Sequence, residues 1–575
     1  MQFNQDNPMF ARLKARAEKD QRTRYALAPQ RIVWETAFPH STVENTKVLL
    51  SDRPKQISLN REDMCVFTNR GENPAVVLDF GQELHGGIEI AVRQITGALT
   101  ADFRIRFGES LTEAMSQLRE NTNATNDHSM RDLTVTVQKL SMNPVGETGF
   151  RFVRIDLLTP NVTVEIRTVK AIAVMRELPY LGSFCCDDPL INRIWNVGAY
   201  TVHLNMQQYI YDGIKRDRMV WVGDLHPEIA TIQAVFGNQK IIQETLDFAV
   251  SETKPGTWMN NIPSYSMWWI IIQYEYYLQY GDREYLKKQL PHLKQVCAML
   301  SARIGPDGKD TTPEMRFVDW PTKEDSAATD LGIQALHRLS AQYAANIWEM
   351  FGYGELATQC REDCKRLRSY PVRVCASKQA NALAVLAGIL DAKLVNEKSL
   401  CISGADGISA FMGYYVLLAR GIAGDFAGAL ELIRTYWGGM LQLGATTFWE
   451  DFDIKWLENA APIDRFPAEG EIDVHGTYGR YCYQGYRHSL CHGWSSGPTS
   501  WLTRYILGVE VLEPGCRKMR IKPNLCDLQW ACGTYPTPAG IVEIEHRRQK
   551  DGSVATSVNA PQGIEIVYDG EGRNK

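Results

Sequence analysis

Long apolar runs are missing from this 575-residue chain. No stretch approaches the roughly eighteen uninterrupted apolar residues of a bilayer span, so no membrane segment is expected. A basic surplus is missing as well. With 62 Lys and Arg against 67 Asp and Glu, the net charge is -5, which excludes nucleic acid as the main partner, because no cationic excess is available to neutralise phosphates. The opening residues, "MQFNQDNPMFARLKARAEKD", lack an apolar core and a small-residue cleavage pattern, so no secretory signal is read. Paired cysteines are scarce too. Thirteen of them, an odd number, sit singly or as Cys185–Cys186; without a signal this points to reduced thiols and a cytoplasmic location. Cys360 and Cys364 in "CREDC" have no second pair to complete a zinc site. Ser495 and Ser496 near His492 lack a G-x-S-x-G elbow, which argues against acyl transfer. There is no low-complexity segment or short repeat.

What is present is enough apolar material for several cores: 44% hydrophobic against 22% charged, in a length that implies two to four domains. Fourteen Trp and 24 Tyr suit stacking on sugar rings and suit core filling equally. After an N-terminal extension, residues 1–29, the stretch 30–180 alternates apolar and polar residues with period two ("GGIEIAVRQI", "FRFVRIDLL", "VTVEIRTVKAIAVM") and reads as a β-sandwich. From 181 to 508 the period becomes helical ("MWWIIIQYEYYLQYGD", "LGIQALHRLSAQYAANIWEMFG", "FAGALELIRTYWGGML"), several runs ending in Gly or Gly-Asp as in left-handed caps. Ten to twelve helices with no interleaved strands disfavour a parallel βαβ sheet and accommodate an (α/α)6 toroid, with a helical solenoid as the other option. Residues 509–575 return to short strands with "DG" and "PAG" turns, a second, smaller β-sandwich.

The chemistry gathers in loops. "YDGIKRDRMVWVGDLHPE" crowds Asp212, Lys215, Arg216, Asp217, Arg218 and Asp224 around Trp221, ahead of a helix start for which Asp224 is a natural cap. A solvated loop explains such a cluster; so does a catalytic rim, where a carboxylic acid beside aromatics would have its pKa raised and act as a proton donor. "GATTFWEDFDIKW" brings Glu450, Asp451 and Asp453 beside Trp449 and Trp456. "RFVDWPTKED" adds Asp319, Trp320 and Asp325, and "RHSLCHGWSSGPTSWL" adds His488 and His492. Acids set among aromatics on widely separated loops fit a carbohydrate pocket, and glycoside hydrolysis needs two carboxyl groups on opposite sides of the bond.

"DGIKRDRMVWVGD" resembles the D-C-P-x-R-(D)-E-R-x-x-W-x-G-D signature of glycoside hydrolase family 78, the α-L-rhamnosidases. "GATTFWEDFD" is similar to that family's G-A-T-T-x-W-E segment, and "SLCHGWSSGPTSWL" to its histidine-bearing segment. "FVDWPT", "VLEPGCRKMRIKPNL" and "GTYPTPAG" follow in family order, the whole spanning about residues 75 to 545. The resemblance implies an N-terminal β-sandwich, an (α/α)6 catalytic barrel and a C-terminal β-sandwich, and hydrolysis of terminal α-L-rhamnosides with inversion. It assigns Asp217 as general acid and Glu450 as general base, with Asp212, Arg216, Trp221, Asp224, Trp320 and His492 binding the sugar and Trp268 or Trp269 as a further pocket aromatic. It requires no metal or cofactor, and a small rhamnosyl glycoside is the expected partner. The chain departs from the family where Asp217 replaces a Glu and Gly213–Ile214 replaces Cys-Pro. The acid is one methylene short, so either the loop moves inward to compensate, or the acid is weak, or the leaving group needs little protonation. A lyase or another glycosidase on the same toroid, and a rhamnose-binding homologue without catalysis, remain as alternatives. Size and aromatic content favour a homodimer.

Overall fold

The structure, a computed structural model, describes residues 8–57, 63–120, 123–128, 130–313 and 315–568. Nine strands form one antiparallel sheet in the order Thr42–Glu44, Cys65–Asn69, Val162–Arg176, Ala75–Thr96, Ser141–Leu157, Thr100–Gly108, Asp132–Gln138; Arg22–Leu27 pairs with Val162–Arg176, and Arg31–Glu35 with Ala75–Thr96. The long strand Ala75–Thr96 slips register twice against Ser141–Leu157, between Asp79 and Leu84 and between Gly86 and Ile88. Such bulges bend a strand. The bent sheet encloses its own core, in which Phe67 meets Phe103 at 5.5 Å and Phe150 meets Phe107 at 5.0 Å, both edge-on. The sheet begins at Arg22, inside the segment expected to be an extension. "RTRYAL" is an edge strand of mixed burial, so its apolar alternation is too weak to announce it.

Eleven helices of eight or more residues follow among the described residues between Pro189 and Tyr505. They divide by burial. Pro263–Tyr280 is buried on nearly all sides, with Trp268, Trp269 and Ile270 fully buried, the pattern of an internal helix. Its successor Arg283–Ser301 buries only one stripe, Leu286, Leu290, Leu293, Val296 and Leu300, and so faces solvent on the other side. The turn between them is two residues long. Gly281 sits at φ 69° and donates to the Tyr277 carbonyl at 2.7 Å, ending one helix in the left-handed conformation that glycine adopts without strain. Asp282 then accepts from the Tyr285 N–H at 2.9 Å and caps the next.

After the helices come a four-stranded antiparallel sheet, Ser183–Cys186, Trp530–Thr537, Gly540–Arg548 and Val554–Asn559, and a three-stranded one, Val509–Val511, Lys518–Ile521 and Glu565–Tyr568. Ser183–Cys186 precedes the first helix in sequence yet pairs with Trp530–Thr537, so the start of the helical segment is stitched to the C-terminal sheet. One hydrophobic core runs from Phe184 through the helices to Ile544, while the N-terminal sheet keeps a separate one. Its seam with the helices is polar: Arg151 donates to the Gly444 carbonyl at 3.3 Å, Tyr200 to the Glu83 carbonyl at 2.6 Å, and Thr446 accepts from the Glu83 N–H at 2.9 Å.

Candidate active site

The loop 206–224 joins the helices Pro189–Asn205 and Leu225–Phe236 along that seam. It is not a solvated loop: Asp212, Lys215, Arg216 and Asp224 are all buried. Backbone bonds tie it to the histidine-bearing segment. Gly213 bridges to His492, and the Gly493 N–H donates to the Asp212 carbonyl at 2.8 Å. The sheet presses from the other side. A Cβ on Gly149 would lie 2.8 Å from both Ile214 Cγ1 and Lys215 N, so only glycine lets the strand Ser141–Leu157 approach this closely.

Arg216 connects the two proposed acids. Its Nη2 donates to both oxygens of Glu450, at 2.7 and 2.8 Å, and its Nη1 donates to Asp217 Oδ1 at 3.3 Å. Because one rigid guanidinium touches both groups, their nearest oxygens are at most about 8 Å apart, within the separation of up to ~9.5 Å across which two carboxyls can serve one glycosidic bond. Glu450 also accepts the Ser489 N–H at 3.1 Å. Burial pushes its carboxyl upward, and the Arg216 charge opposes that.

Around this pair lie the other polar groups. His492 Nε2 is 3.7 Å from Glu450 and 3.8 Å from Asp212, and its Nδ1 is 4.0 Å from Asp224. Burial holds the ring well below the usual histidine range, so it is neutral, and Nδ1 has no hydrogen-bond partner among the described residues. Burial raises Asp212 and Asp224 well above ordinary carboxylates, and each pushes on the other or on Glu450. Asp224 does not cap the helix Leu225–Phe236; it is already in helical conformation, and its carboxylate accepts from Tyr265 OH at 3.5 Å. The cluster therefore offers convergent, incompletely bonded polar atoms in a dry setting, as recognition of a hydroxylated ring requires.

Asp217 differs from its neighbours. It and Arg218 sit at φ 56° and 52°, in the left-handed region that Asp tolerates better than longer side chains. That conformation suits Asp at this position. Its Oδ1 meets His128 Nδ1 from the N-terminal sheet's side of the seam. The same stretch is fastened to 484–487 by Arg487 on Asp127 and by Asn123 Nδ2 on the Gln484 carbonyl at 2.7 Å.

Two stretches match known families: residues 179–370 the bacterial alpha-L-rhamnosidase 6 hairpin glycosidase domain, and residues 508–567 the bacterial alpha-L-rhamnosidase C-terminal domain. Both matched models describe domains of bacterial α-L-rhamnosidases, and together they cover less than half of the chain. A curated α-L-rhamnosidase from Formosa agariphila is 23% identical over 162 residues, 27% of this chain and 16% of that protein. A GH78 family rhamnosidase of Bacillus sp. GL1 superposes with a TM-score of 0.76 at 21% identity, covering 93% of this chain and 56% of that one. A rhamnosidase from Klebsiella oxytoca with rhamnose bound gives 0.66 at 20% identity, covering 87% and 98%. At these identities the structural likeness is one of fold. The chain thus spans about half of the Bacillus rhamnosidase and nearly all of the Klebsiella one.

Other residues fall less centrally. Trp221 stands edge-on to Tyr265 at 6.2 Å and lines a cavity of about 590 Å³ with Arg218 and Met219. Trp320 stacks on Tyr481 at 6.1 Å. Trp268 stacks against both His226 and Tyr415, which also stack on each other, and Trp269 packs on His292; both are buried in the core. The sequence reading missed His128 and a buried network around Lys215. The Lys215 ammonium lies 3.0 Å from Glu109, 3.4 Å from Glu113 and 3.4 Å from His475 Nε2. These three are the one group with metal-ligand spacing among the described residues, and the cation they surround is the ammonium. Asp451 was seen only as part of a cluster. Burial, then the Glu450 charge, pushes its carboxyl up to about 7 from 3.8. A carboxyl raised in the folded state stabilises below its unfolded pKa and loses that contribution as pH rises through the folded one. Thermal stability is therefore expected to fall between pH 4 and 7, and Asp451→Asn to flatten that part of the melting-temperature profile.

Proposed function

We propose that this chain is an inverting α-L-rhamnosidase that removes terminal α-L-rhamnose from small glycosides. The observation that carries the reading is the single guanidinium of Arg216 in contact with both Glu450 and Asp217. On this reading residues 181–508 form the (α/α)6 toroid between the two β-sandwich regions, 30–180 and 509–575, and the catalytic groups sit where the toroid meets the first sandwich. Glu450 takes a proton from a water whose oxygen attacks the anomeric carbon. The bond to the leaving oxygen breaks on the opposite face, and Asp217 supplies that oxygen's proton. Arg216 favours the ionised form of Glu450 against the effect of its burial. Asp212, Asp224 and His492 hold the sugar hydroxyls, and Trp221 and Trp320 form the apolar wall.

The test is turnover of an aryl α-L-rhamnoside followed by proton NMR. β-L-Rhamnose as the first-formed anomer supports the proposal; α-L-rhamnose first, an unsaturated product absorbing in the ultraviolet, or no turnover defeats it. Protonation matters most when the leaving group is poor. Asp217→Asn is expected to lower kcat about tenfold on a nitrophenyl rhamnoside and about a hundredfold on an alkyl rhamnoside. His128→Ala should show the same leaving-group dependence at about a tenth of the size, because the imidazole holds the shortened acid in place. Equal losses on both substrates would remove Asp217 from the role of proton donor.

A further inference from the structure

The helix that begins beside Asp224 ends at a second cavity, independent of the catalytic reading. Gln233 lies nine residues further along it, about 13 Å at the helical rise, and lines a cleft of about 260 Å³ closed on one side by the C-terminal strands. A smaller cavity of about 140 Å³ shares its Glu275, Tyr343 and Arg504.

Three charged side chains line the cleft, Glu275, Arg504 and Glu510, and both carboxylates are committed. Glu275 accepts from His226 Nε2 at 2.9 Å and from Tyr343 OH at 3.2 Å. Glu510 is paired with Arg520 at 2.7 Å. Gln279 is occupied too, its Oε1 by Tyr535 OH at 2.7 Å and its Nε2 by the Pro536 carbonyl at 3.2 Å. Arg504 makes no hydrogen bond or ion pair among the described residues; its guanidinium lies 5.5 Å from the ring of Tyr505, and the Glu275 carboxylate acts on it only as a charge at longer range. The Gln233 Nε2 is buried and without a partner among them as well. Arg504 and the Gln233 amide therefore bring unpartnered donors into the cleft. Its walls are the rings of Tyr274, Tyr343, Tyr414 and Tyr535.

Unpartnered donors at a guanidinium call for a carboxylate or other oxyanion. Tyrosine faces call for a ring with an apolar side and hydroxyl edges. We propose that this cleft binds a sugar acid, a hydroxylated ring bearing one carboxylate, with the carboxylate on Arg504 and the ring against the tyrosines.

Isothermal titration with D-glucuronate, D-glucose and inorganic phosphate tests this on the full chain. Glucuronate is expected to bind, with D-glucose and phosphate each at least about tenfold weaker. Arg504→Met should weaken glucuronate at least about tenfold, and Arg504→Lys, which keeps the charge and loses the fork, by an intermediate factor. Glu450→Gln should leave glucuronate binding unchanged, and Arg504→Met should turn over an aryl α-L-rhamnoside within about twofold of the parent, since Arg504 lies outside the catalytic cluster. The proposal is overturned if glucuronate gives no binding, if Arg504→Met binds it equally, or if Glu450→Gln abolishes it and so places the ligand in the other site. It is overturned equally if phosphate binds as tightly, which would make the cleft a plain anion hole, or if glucose does. Gln233→Ala supplies a second reading should Arg504→Met melt early: loss of the other free donor should cost at least about threefold in affinity.

Discussion

Glu450→Gln is expected to lower kcat on an aryl α-L-rhamnoside by about a thousandfold while KM stays within about threefold, the range that loss of a general base produces when it touches water and not the sugar. The substitution preserves shape. Both Glu450 oxygens accept from one Arg216 nitrogen, and Oε2 accepts the Ser489 N–H; a glutamine keeps one acceptor oxygen there and turns the other into an amide. What disappears is the negative charge that both removes the proton and compensates a buried guanidinium. Arg216 keeps its bond to the Arg487 carbonyl at 2.5 Å and its contact with Asp217, so the fold should survive with a lowered melting temperature. A variant that melts like the parent within a few degrees yet retains more than about a tenth of its turnover would deny Glu450 the role of base.

The same contact explains what could be read in advance. The loops holding Asp212–Asp224, Glu450 and His492 each concentrate charge and aromatics locally, so each was visible as a cluster. Their meeting was not: Arg216 and Glu450 are 234 residues apart, and nothing in either loop encodes the partner. Arg216 was expected against sugar hydroxyls; its Nη2 donates to both oxygens of Glu450. Asp224 looked like a helix cap because Pro227 follows it, yet its backbone is already helical and its carboxylate makes no cap bond, accepting instead from Tyr265 OH. The fold shows the same division. The internal helix Pro263–Tyr280 and its amphipathic successor were legible from periodicity and from the Gly-Asp between them. Ser183–Cys186 was not, since four residues ahead of a helix acquire strand character only by pairing with Trp530–Thr537. His128 could not be inferred, because a polar stretch with no periodicity carries no sign of which neighbour it will touch.

Lys215→Met should cause the largest loss of stability. The ammonium is buried between two carboxylates and donates to the carbonyls of Tyr486 at 2.9 Å and His488 at 2.5 Å. Glu109 in turn accepts the Leu490 N–H at 2.6 Å, and Ser110 Oγ meets His475 Nδ1 at 2.8 Å, so one lysine ties the N-terminal sheet to the segment that carries the base's neighbours. Methionine fills the stem's volume and leaves the carboxylates without their cation. Breaking a buried pair on one side costs about 3–5 kcal/mol, enough for a drop of about 2–4 °C in the melting temperature of a chain this long at pH 8. The loss must depend on pH. Even with Lys215 opposing it, burial already pushes Glu109 up to about 7, and removing the ammonium raises it further. A carboxyl raised in the folded state withdraws stability as pH climbs from its unfolded value through its folded one. The deficit of Lys215→Met is therefore smaller at pH 5, where Glu109 holds a proton in either protein, than at pH 8. Adding Glu109→Gln, which removes the stranded charge, should recover part of the pH 8 deficit and little of the pH 5 one. Melting curves at the two pH values for the single and double variants decide it: a deficit independent of pH, or a double variant no better than the single, would mean that the lysine acts through its hydrogen bonds to the two carbonyls and not through its charge.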